Sequence, residues 1–459
     1  MKKLFVVIGI LWASAVLAQD KAKQLDSLFT QLHREQKFFG NVLIAEKGTV
    51  LYQKSFGKAN NATNADLNAE SLFELASVSK QFTAMGIMLL KKQGKLSYDD
   101  SLRKFIPELP YHNITIRQLL HHTSGLPDYI ELFINNWDTT KIATNKDMIG
   151  LLAAKKPAIL FAPGVKWEYS NTGYALLASI IEKASGLDYG TYLSKYIFKP
   201  LGMKRTMVFR RRYENKEMPN YAYGYVFDES SKTFVLPDSL PATASMVYCL
   251  DGIVGDGTVN STTNDLLKWD RALYTDKLLP KEVLEEAFQP GVLNDGKKTT
   301  YGFGWGIGDM KDIGKVVSHS GGWPGYITLI ERHLDSDKTI IILRNQEWQV
   351  QMGKKIRNIL YDIKEEEKKG VAVPADTLKQ YVGEYELALG FTIIISVEQD
   401  KIFAQATGQE KFELFNEKPD WFFLKVVEAK IKFVKDAGGV VNSLVLYQNG
   451  QEVEGSKIK

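Results

Sequence analysis

A change of hydrophobic period around residues 361–375 constrains this chain more than any other feature of its sequence. The run Lys364-Glu365-Glu366-Glu367-Lys368-Lys369-Gly370 leads into Pro374, and so polar, Pro-marked a stretch reads as a linker between domains. Beyond it apolar and polar residues alternate, the period that places successive side chains on opposite faces of a strand. Strand-like runs at 381–386, 391–397, 401–406, 411–415, 421–425, 430–435, 441–447 and 451–456 are separated by turns containing Asp400, Gly408, Pro419 and Gly438-Gly439. Asn449-Gly450, a strong two-residue hairpin signal, joins the last pair. So many short strands in residues 376–459 predict a small antiparallel barrel or curled sheet.

The longer stretch before the linker mixes periods. With 459 residues and 44% hydrophobic content, the chain can carry one large core besides the small one. Residues 21–35 show helical spacing, with Leu25, Leu28, Phe29 and Leu32 on one face. Strand-like runs follow at Asn41–Ala45 and Thr49–Lys54, turned at Lys47-Gly48. A helix is predicted from Ser77 to Gln93, apolar on most sides and therefore buried, with Lys91, Lys92 and Gly94 closing it. Strand signals return at Tyr301–Ile307, Val316–Ser320, Tyr326–Glu331 and Thr339–Leu343. Strands at both ends with helices between predict an α+β domain whose sheet is built from its termini.

Charge and the N-terminus exclude some classes. Lys and Arg outnumber Asp and Glu by 58 to 54, a balance of +4 that offers no case for nucleic acid. The basic run Arg210-Arg211-Arg212 reads as a solvated loop. Lys2 and Lys3 precede an apolar run from Leu4 to Ala18 ending Val16-Leu17-Ala18, the layout of a secretory signal peptide (residues 1–18) cut after Ala18. The expected product is exported, periplasmic or secreted, without an integral membrane segment, since no later stretch is long and apolar enough to span. Cys249, the single cysteine, reads as a small buried hydrophobe.

Three short motifs could carry chemistry. Ser77-Val78-Ser79-Lys80 opens the buried helix, and one turn sets an amine beside a hydroxyl that needs a base before it can attack. A buried lysine sheds its proton more readily than a solvated one. The spacing recurs at Ser55-Lys58, Ser101-Lys104 and Ser456-Lys459, but only Ser77 starts a long apolar helix. Tyr169-Ser170-Asn171 pairs a phenol able to relay a proton with a carboxamide able to hold an amide; a helix cap or turn is the competing reading of Asn171. His319-Ser320-Gly321 ends a predicted strand and runs into Gly322, and glycine there lets a substrate lie against the strand edge. His121-His122 read as structural, because neighbours on a helix diverge by about 100° and no His-Glu-x-x-His occurs. Ser124 lacks a Gly-x-Ser-x-Gly elbow, and Thr262 with Asp265 reads as a helix cap.

The ordered set Ser77-x-x-Lys80, Tyr169-x-Asn171 and His319-x-Gly321 resembles the β-lactamase-related serine hydrolases: class C β-lactamases, D-alanyl-D-alanine carboxypeptidases, D-aminopeptidases and esterases of that fold. Ser55-Phe56-Gly57, Leu119 to Leu126 and Tyr301-Gly302-Phe303-Gly304-Trp305 add to the likeness, which covers about residues 22–360. The resemblance implies Ser77 as acylated nucleophile, Lys80 as its activator, Tyr169 as proton shuttle and Asn171 as the residue ordering Lys80 and substrate. It further implies an oxyanion hole from the N–H groups of Ser77 and Gly322, with Gly321 beside it.

His319 stands where true β-lactamases carry lysine in a Lys-Thr-Gly triad, absent from this chain, so efficient β-lactam hydrolysis is not implied. A neutral histidine there is expected to offer substrate a hydrogen bond. The tail resembles the lipocalin-like β-domain appended to some of these enzymes. The reading is a hydrolase domain at 19–360, a linker at 361–375 and a β-domain at 376–459. The hydrolase domain would cleave a small-molecule, peptide or ester substrate, with no cofactor and no metal. Nothing in the sequence speaks to oligomeric state.

Overall fold

Contacts divide the chain into two compact units, the first ending at Val350 and the second running from Gln351 to Lys459. The computed structural model describes residues 19–347, 350, 352–364, 370–388, 391–427, 429–448 and 451–459. The signal peptide expected at 1–18, most of the charged run at 364–370 and the Asn449-Gly450 turn lie outside the described residues. Helix Gly353–Tyr361, ahead of the expected linker, groups with the second unit.

In the first unit, helix α1 (residues 19–34) buries Leu25, Phe29 and Leu32 on the face its spacing predicts. Six antiparallel strands form the unit's sheet, all but β3 following the predicted runs closely: β1 (Gly40–Glu46), β2 (Thr49–Phe56), β3 (Gly306–Met310), β4 (Gly314–Trp323), β5 (Tyr326–His333) and β6 (Lys338–Arg344). They lie in the order β3-β4-β5-β6-β1-β2, with Gly40 of β1 opposite Arg344 of β6. The two ends of the unit therefore close one sheet. All of β6 and nearly all of β1 are buried, the signature of central strands covered on both faces. One expected strand is corrected. Tyr301–Trp305 is a loop and the strand begins only at Gly306, because Gly304 (φ 76°) brings the loop so near residue 81 that a Cβ would stand 2.8 Å from the Cα of Gln81.

The predicted helix from Ser77 splits into a tight 3₁₀ turn, Ala76–Ser79, continued by α2 (Lys80–Lys92). Every α2 residue from Lys80 to Leu90 is buried. Phe82 packs on Phe198 and Trp269 at 5.3 and 4.7 Å between ring centroids. Gly86 admits Ile181 of a second helix (Asn171–Ser185, α4 below), since a Cβ there would lie 2.7 Å from the Ile181 Cδ1. Burial of apolar side chains such as Phe82, Ile87 and Leu90 contributes about 1.5–3 kcal/mol each, which offsets the cost of carrying Lys80 inward.

Polar groups also tie elements together. Thr262 caps helix Thr263–Ala272 as expected, accepting the Asp265 N–H at 3.2 Å. Asp270 of that helix and Arg332 of β5, both buried, pair at 2.6 Å. The Arg210–Arg212 run is not a solvated loop. It opens a short helix, and the Arg212 side chain, 8% exposed, lies between Asp238 (2.7 Å) and Asp251 (3.2 Å), which bind two sides of its guanidinium.

The second unit is a closed barrel of eight strands in chain order: β7 (Gly383–Ala388), β8 (Phe391–Glu398), β9 (Lys401–Ala406), β10 (Lys411–Lys418), β11 (Trp421–Leu424), β12 (Ala429–Lys435), β13 (Val441–Gln448) and β14 (Gln451–Lys457). Pairing of Tyr385 with Lys457 closes it. Ile393, Ile395, Ile402, Leu414, Phe422, Ile431, Phe433 and Leu444 fill its interior, one residue in two along each strand, as closure of a pleated sheet requires.

Candidate active site

The site begins at a strained residue. Ala76 has a φ of 48°, a left-handed conformation that a side chain disfavours, and it delivers half-buried Ser77 at the start of the 3₁₀ turn. One turn on, Lys80 is fully buried. Its Nζ donates to Ser77 Oγ at 3.0 Å, to Asn171 Oδ1 at 3.0 Å and to the carbonyl oxygen of Asp256 at 2.8 Å. Those contacts use all three ammonium donors.

Helices α3 (Tyr129–Asn136) and α4 (Asn171–Ser185) supply the support. Asn171 is the first residue of α4, whose cap is Ser170, accepting from Gly173 N–H at 3.2 Å. The Asn171 amide therefore does not cap the helix: its Oδ1 faces Lys80 and its Nδ2 donates to Asp128 at 3.3 Å. Asp256, in the glycine-flanked turn Gly255-Asp256-Gly257, receives the Tyr129 hydroxyl at 2.9 Å. Burial raises its carboxyl above the ordinary range, the Lys80 charge opposing.

Tyr169 approaches through its ring, with Lys80 Nζ 4.9 Å from the centroid. Among the described residues its hydroxyl makes no hydrogen bond to Ser77 or Lys80. His319, on β4, lies 6.2 Å from Tyr169 between rings. Its Nδ1 faces the Ser320 carbonyl at 2.6 Å and its Nε2 faces the Tyr301 hydroxyl at 2.7 Å. A carbonyl only accepts, so Nδ1 carries the proton and Nε2 accepts from Tyr301. Burial, with the Lys80 charge second, pushes His319 down to about 3, and burial pushes Tyr301 well above the usual phenol value. The expectation of a hydrogen bond from His319 to substrate is corrected: both ring nitrogens are engaged within the protein.

The two glycines divide their work. At Gly321 a Cβ would meet the Leu75 carbonyl at 2.3 Å and the Ala76 Cβ at 3.1 Å, so its bareness makes room for the turn that carries Ser77 rather than for a ligand. Gly322 faces open space. β3 pairs with β4 only as far as Ser318, which leaves the β4 edge from His319 onward without a strand partner on that side among the described residues.

His121 and His122 do not converge. His121 Nδ1 donates to the Tyr301 carbonyl at 3.0 Å, and burial lowers it to about 4. His122 instead stands against Tyr169, 4.3 Å between rings. Among the described residues no cluster of three or more His, Cys, Asp or Glu could hold a metal, and no helix is long and apolar enough to cross a membrane. A surface cavity of about 560 Å³ between Arg117, His121, Thr123 and Phe303 has neither Ser77 nor Lys80 in its lining. Chemistry, not concavity, locates the site.

The structure thus brings the predicted Ser77, Lys80, Asn171, Tyr169 and His319 to one place, adds Asp128 and the Asp256 carbonyl, which the sequence had not singled out, and sets His122, read as structural, against Tyr169. The glycine-flanked Asp256 was the one local signal among them.

A sheet closed by both ends of the unit, with a serine and a lysine on a buried helix start, defines the β-lactamase/transpeptidase-like serine hydrolases. The chain belongs to the Beta-lactamase family, which matches residues 25–359. Residues 367–457 match a family described as "Domain of unknown function (DUF3471)". The chain is similar to Penicillin-binding protein 4* of Bacillus subtilis (strain 168), 44% identical over 455 residues, spanning 96% of this chain and 100% of the relative. Among solved structures it resembles the octameric penicillin-binding protein homologue from Pyrococcus abyssi, with a TM-score of 0.66 and 26% identity over 94% of this chain and 99% of that one. It also resembles a penicillin binding protein from Bacillus halodurans, with a TM-score of 0.62 and 25% identity over 73% and 98%.

Proposed function

We propose that this chain hydrolyses amides or esters through an acyl intermediate on Ser77. The observation that carries the reading is the placement of Lys80 Nζ within 3.0 Å of both Ser77 Oγ and Asn171 Oδ1, with the Asp256 carbonyl as third partner. A neutral amine keeps two N–H donors and one lone pair. Asn171 Oδ1 and the Asp256 carbonyl can only accept, so the lone pair is left for the Ser77 hydroxyl. Lys80 is then the activating base, Asn171 orders it, and Tyr169 passes the proton to the leaving group. The Ser77 and Gly322 N–H groups are assigned to the oxyanion.

Short peptides, D-residue peptides first, and small esters fit this site better than anionic β-lactams. His319 is neutral and satisfied internally, so it supplies no cation to a carboxylate, and a charge-assisted contact of about 1.5–3 kcal/mol is forgone. Beside Tyr169, Val165 and Trp167 are exposed (55% and 37%) and offer a substrate an apolar rim. The test compares kcat/KM for nitrocefin, p-nitrophenyl acetate or butyrate and D-aminoacyl p-nitroanilides. Nitrocefin leading by about tenfold, ~1.4 kcal/mol in barrier, would overturn the preference. The relative's name, a penicillin-binding protein, supports one alternative, a sensor that acylates and scarcely turns over; a burst without steady turnover identifies it. Export is part of the proposal, and the secreted protein should begin at Gln19.

A further inference from the structure

We propose that His122 is a positioning residue for Tyr169: it grips the chain on both sides of that tyrosine and so holds the phenol beside Lys80. The carbonyl oxygen of His122 accepts the Glu168 N–H at 2.9 Å. Its Nδ1 accepts the Ser170 N–H at 3.0 Å. Its ring lies against the Tyr169 ring at 4.3 Å, with Tyr301 at 4.5 Å and Tyr174 at 5.0 Å behind. One residue thus holds positions 168 and 170 and packs on 169. The backbone that permits it is left-handed, with a φ of 59°, uncommon for a residue other than glycine.

An apolar side chain would fill this space at lower cost. His122 is fully buried, and because Nδ1 accepts, its neutral ring carries the proton on Nε2, which has no hydrogen-bond partner among the described residues. An unmatched buried N–H is unfavourable, so packing alone does not account for histidine; the Nδ1 acceptor does. Burial, with the Lys80 charge second, lowers its proton affinity and keeps Nδ1 free to accept.

The inference rests on the proposed role of Tyr169, and the experiment separates the two. His122→Asn and His122→Gly both adopt a left-handed backbone, but only asparagine offers an oxygen in place of Nδ1. In the full chain, with Tm read for folding, His122→Asn should keep kcat within about 10-fold. His122→Gly should lose about 10²-fold in kcat with little change in KM, the usual scale for a misplaced group. Added to Tyr169→Phe, His122→Gly should cost little more, since it acts through that phenol.

His122→Asn falling further than 10-fold, His122→Gly at parental kcat, or losses that multiply with Tyr169→Phe each overturn the grip. Parental activity in Tyr169→Phe alone sinks the role of Tyr169, and the inference with it. Should His122→Gly not fold, the kcat of His122→Asn decides by the same threshold.

Discussion

The first unit and the barrel bury different things. In the first unit Lys80, His121, His122, His319 and Asp256 around the site, and Asp270 and Arg332 between a helix and the sheet, are all buried. In the barrel the buried polar side chains among the described residues are Asn416 and Ser443 alone. Its charges stay outside, in partly exposed pairs such as Lys401–Glu413 and Lys430–Glu417. Taking a charge or an imidazole out of water is costly, and each is kept only where fixed partners meet it. The contrast shows which unit is arranged for chemistry: the barrel is built as a minimal alternating shell, whereas the first unit accepts interior polarity that packing alone does not need.

The contrast can be broken most directly at Ser77. Ser77→Ala should lower kcat by at least about 10⁴-fold, the scale seen when an acylated serine is removed, while Tm stays near the parent. A fluorophosphonate probe read by peptide mass checks it, and label persisting elsewhere, at Ser124 for instance, refutes the assignment. Next in size is a matched pair of charge deletions. Asp270→Ala leaves Arg332 buried without its partner and should destabilise the first unit by about 3–5 kcal/mol. Lys430→Ala removes a partly exposed pair in the barrel and should cost no more than about 1 kcal/mol. Denaturant titration of each variant gives both numbers, and equal costs would erase the distinction between the units.

Lys80→Arg keeps the charge but cannot give up a proton, and should lower kcat/KM by about 10²-fold or more. Near-parental turnover would remove Lys80 from the proposed mechanism. The smallest effect is in stability against pH. His319 falls from an ordinary 6.5 to about 3 on folding, so between those values the unfolded chain binds a proton that the native protein does not, and native stability falls as pH falls. Relative to His319→Gln, the parent should lose about 1.6 kcal/mol between pH 6.5 and 5, the slope approaching ~1.4 kcal/mol per unit only once the unfolded imidazole is fully protonated. Parallel stability profiles for the two proteins would show that His319 is not held neutral by burial.

Much of the architecture was legible because it is periodic. The barrel runs at 381–456 appear as strands because alternation is a local property, readable wherever one face is wet. The strand signals at 41–54 and 316–343 likewise located the sheet. Tyr301–Trp305 misled: its aromatic and glycine pattern resembles a strand, yet the close approach of Gly304 to Gln81 makes it a loop. Arg212 misled for the opposite reason. Three adjacent arginines look solvated until Asp238 and Asp251, 26 and 39 residues away, come to meet them.

By itself the sequence determined the Ser77–Lys80 spacing and the buried character of the helix that begins there, since each rests on neighbours along the chain, and its ordered motifs pointed to the family. Only the tertiary structure decided what meets Lys80, how His319 is protonated and what stands behind Tyr169. Asn171 and Asp256 reach Lys80 from 91 and 176 residues away, and His122 reaches Ser170 across 48. Hydrogen bonds of this kind depend on tenths of an ångström between distant segments, and no local pattern encodes them. Desolvation, which decides the state of His319, is likewise a property of everything packed around a group, so it exists only once the chain has folded.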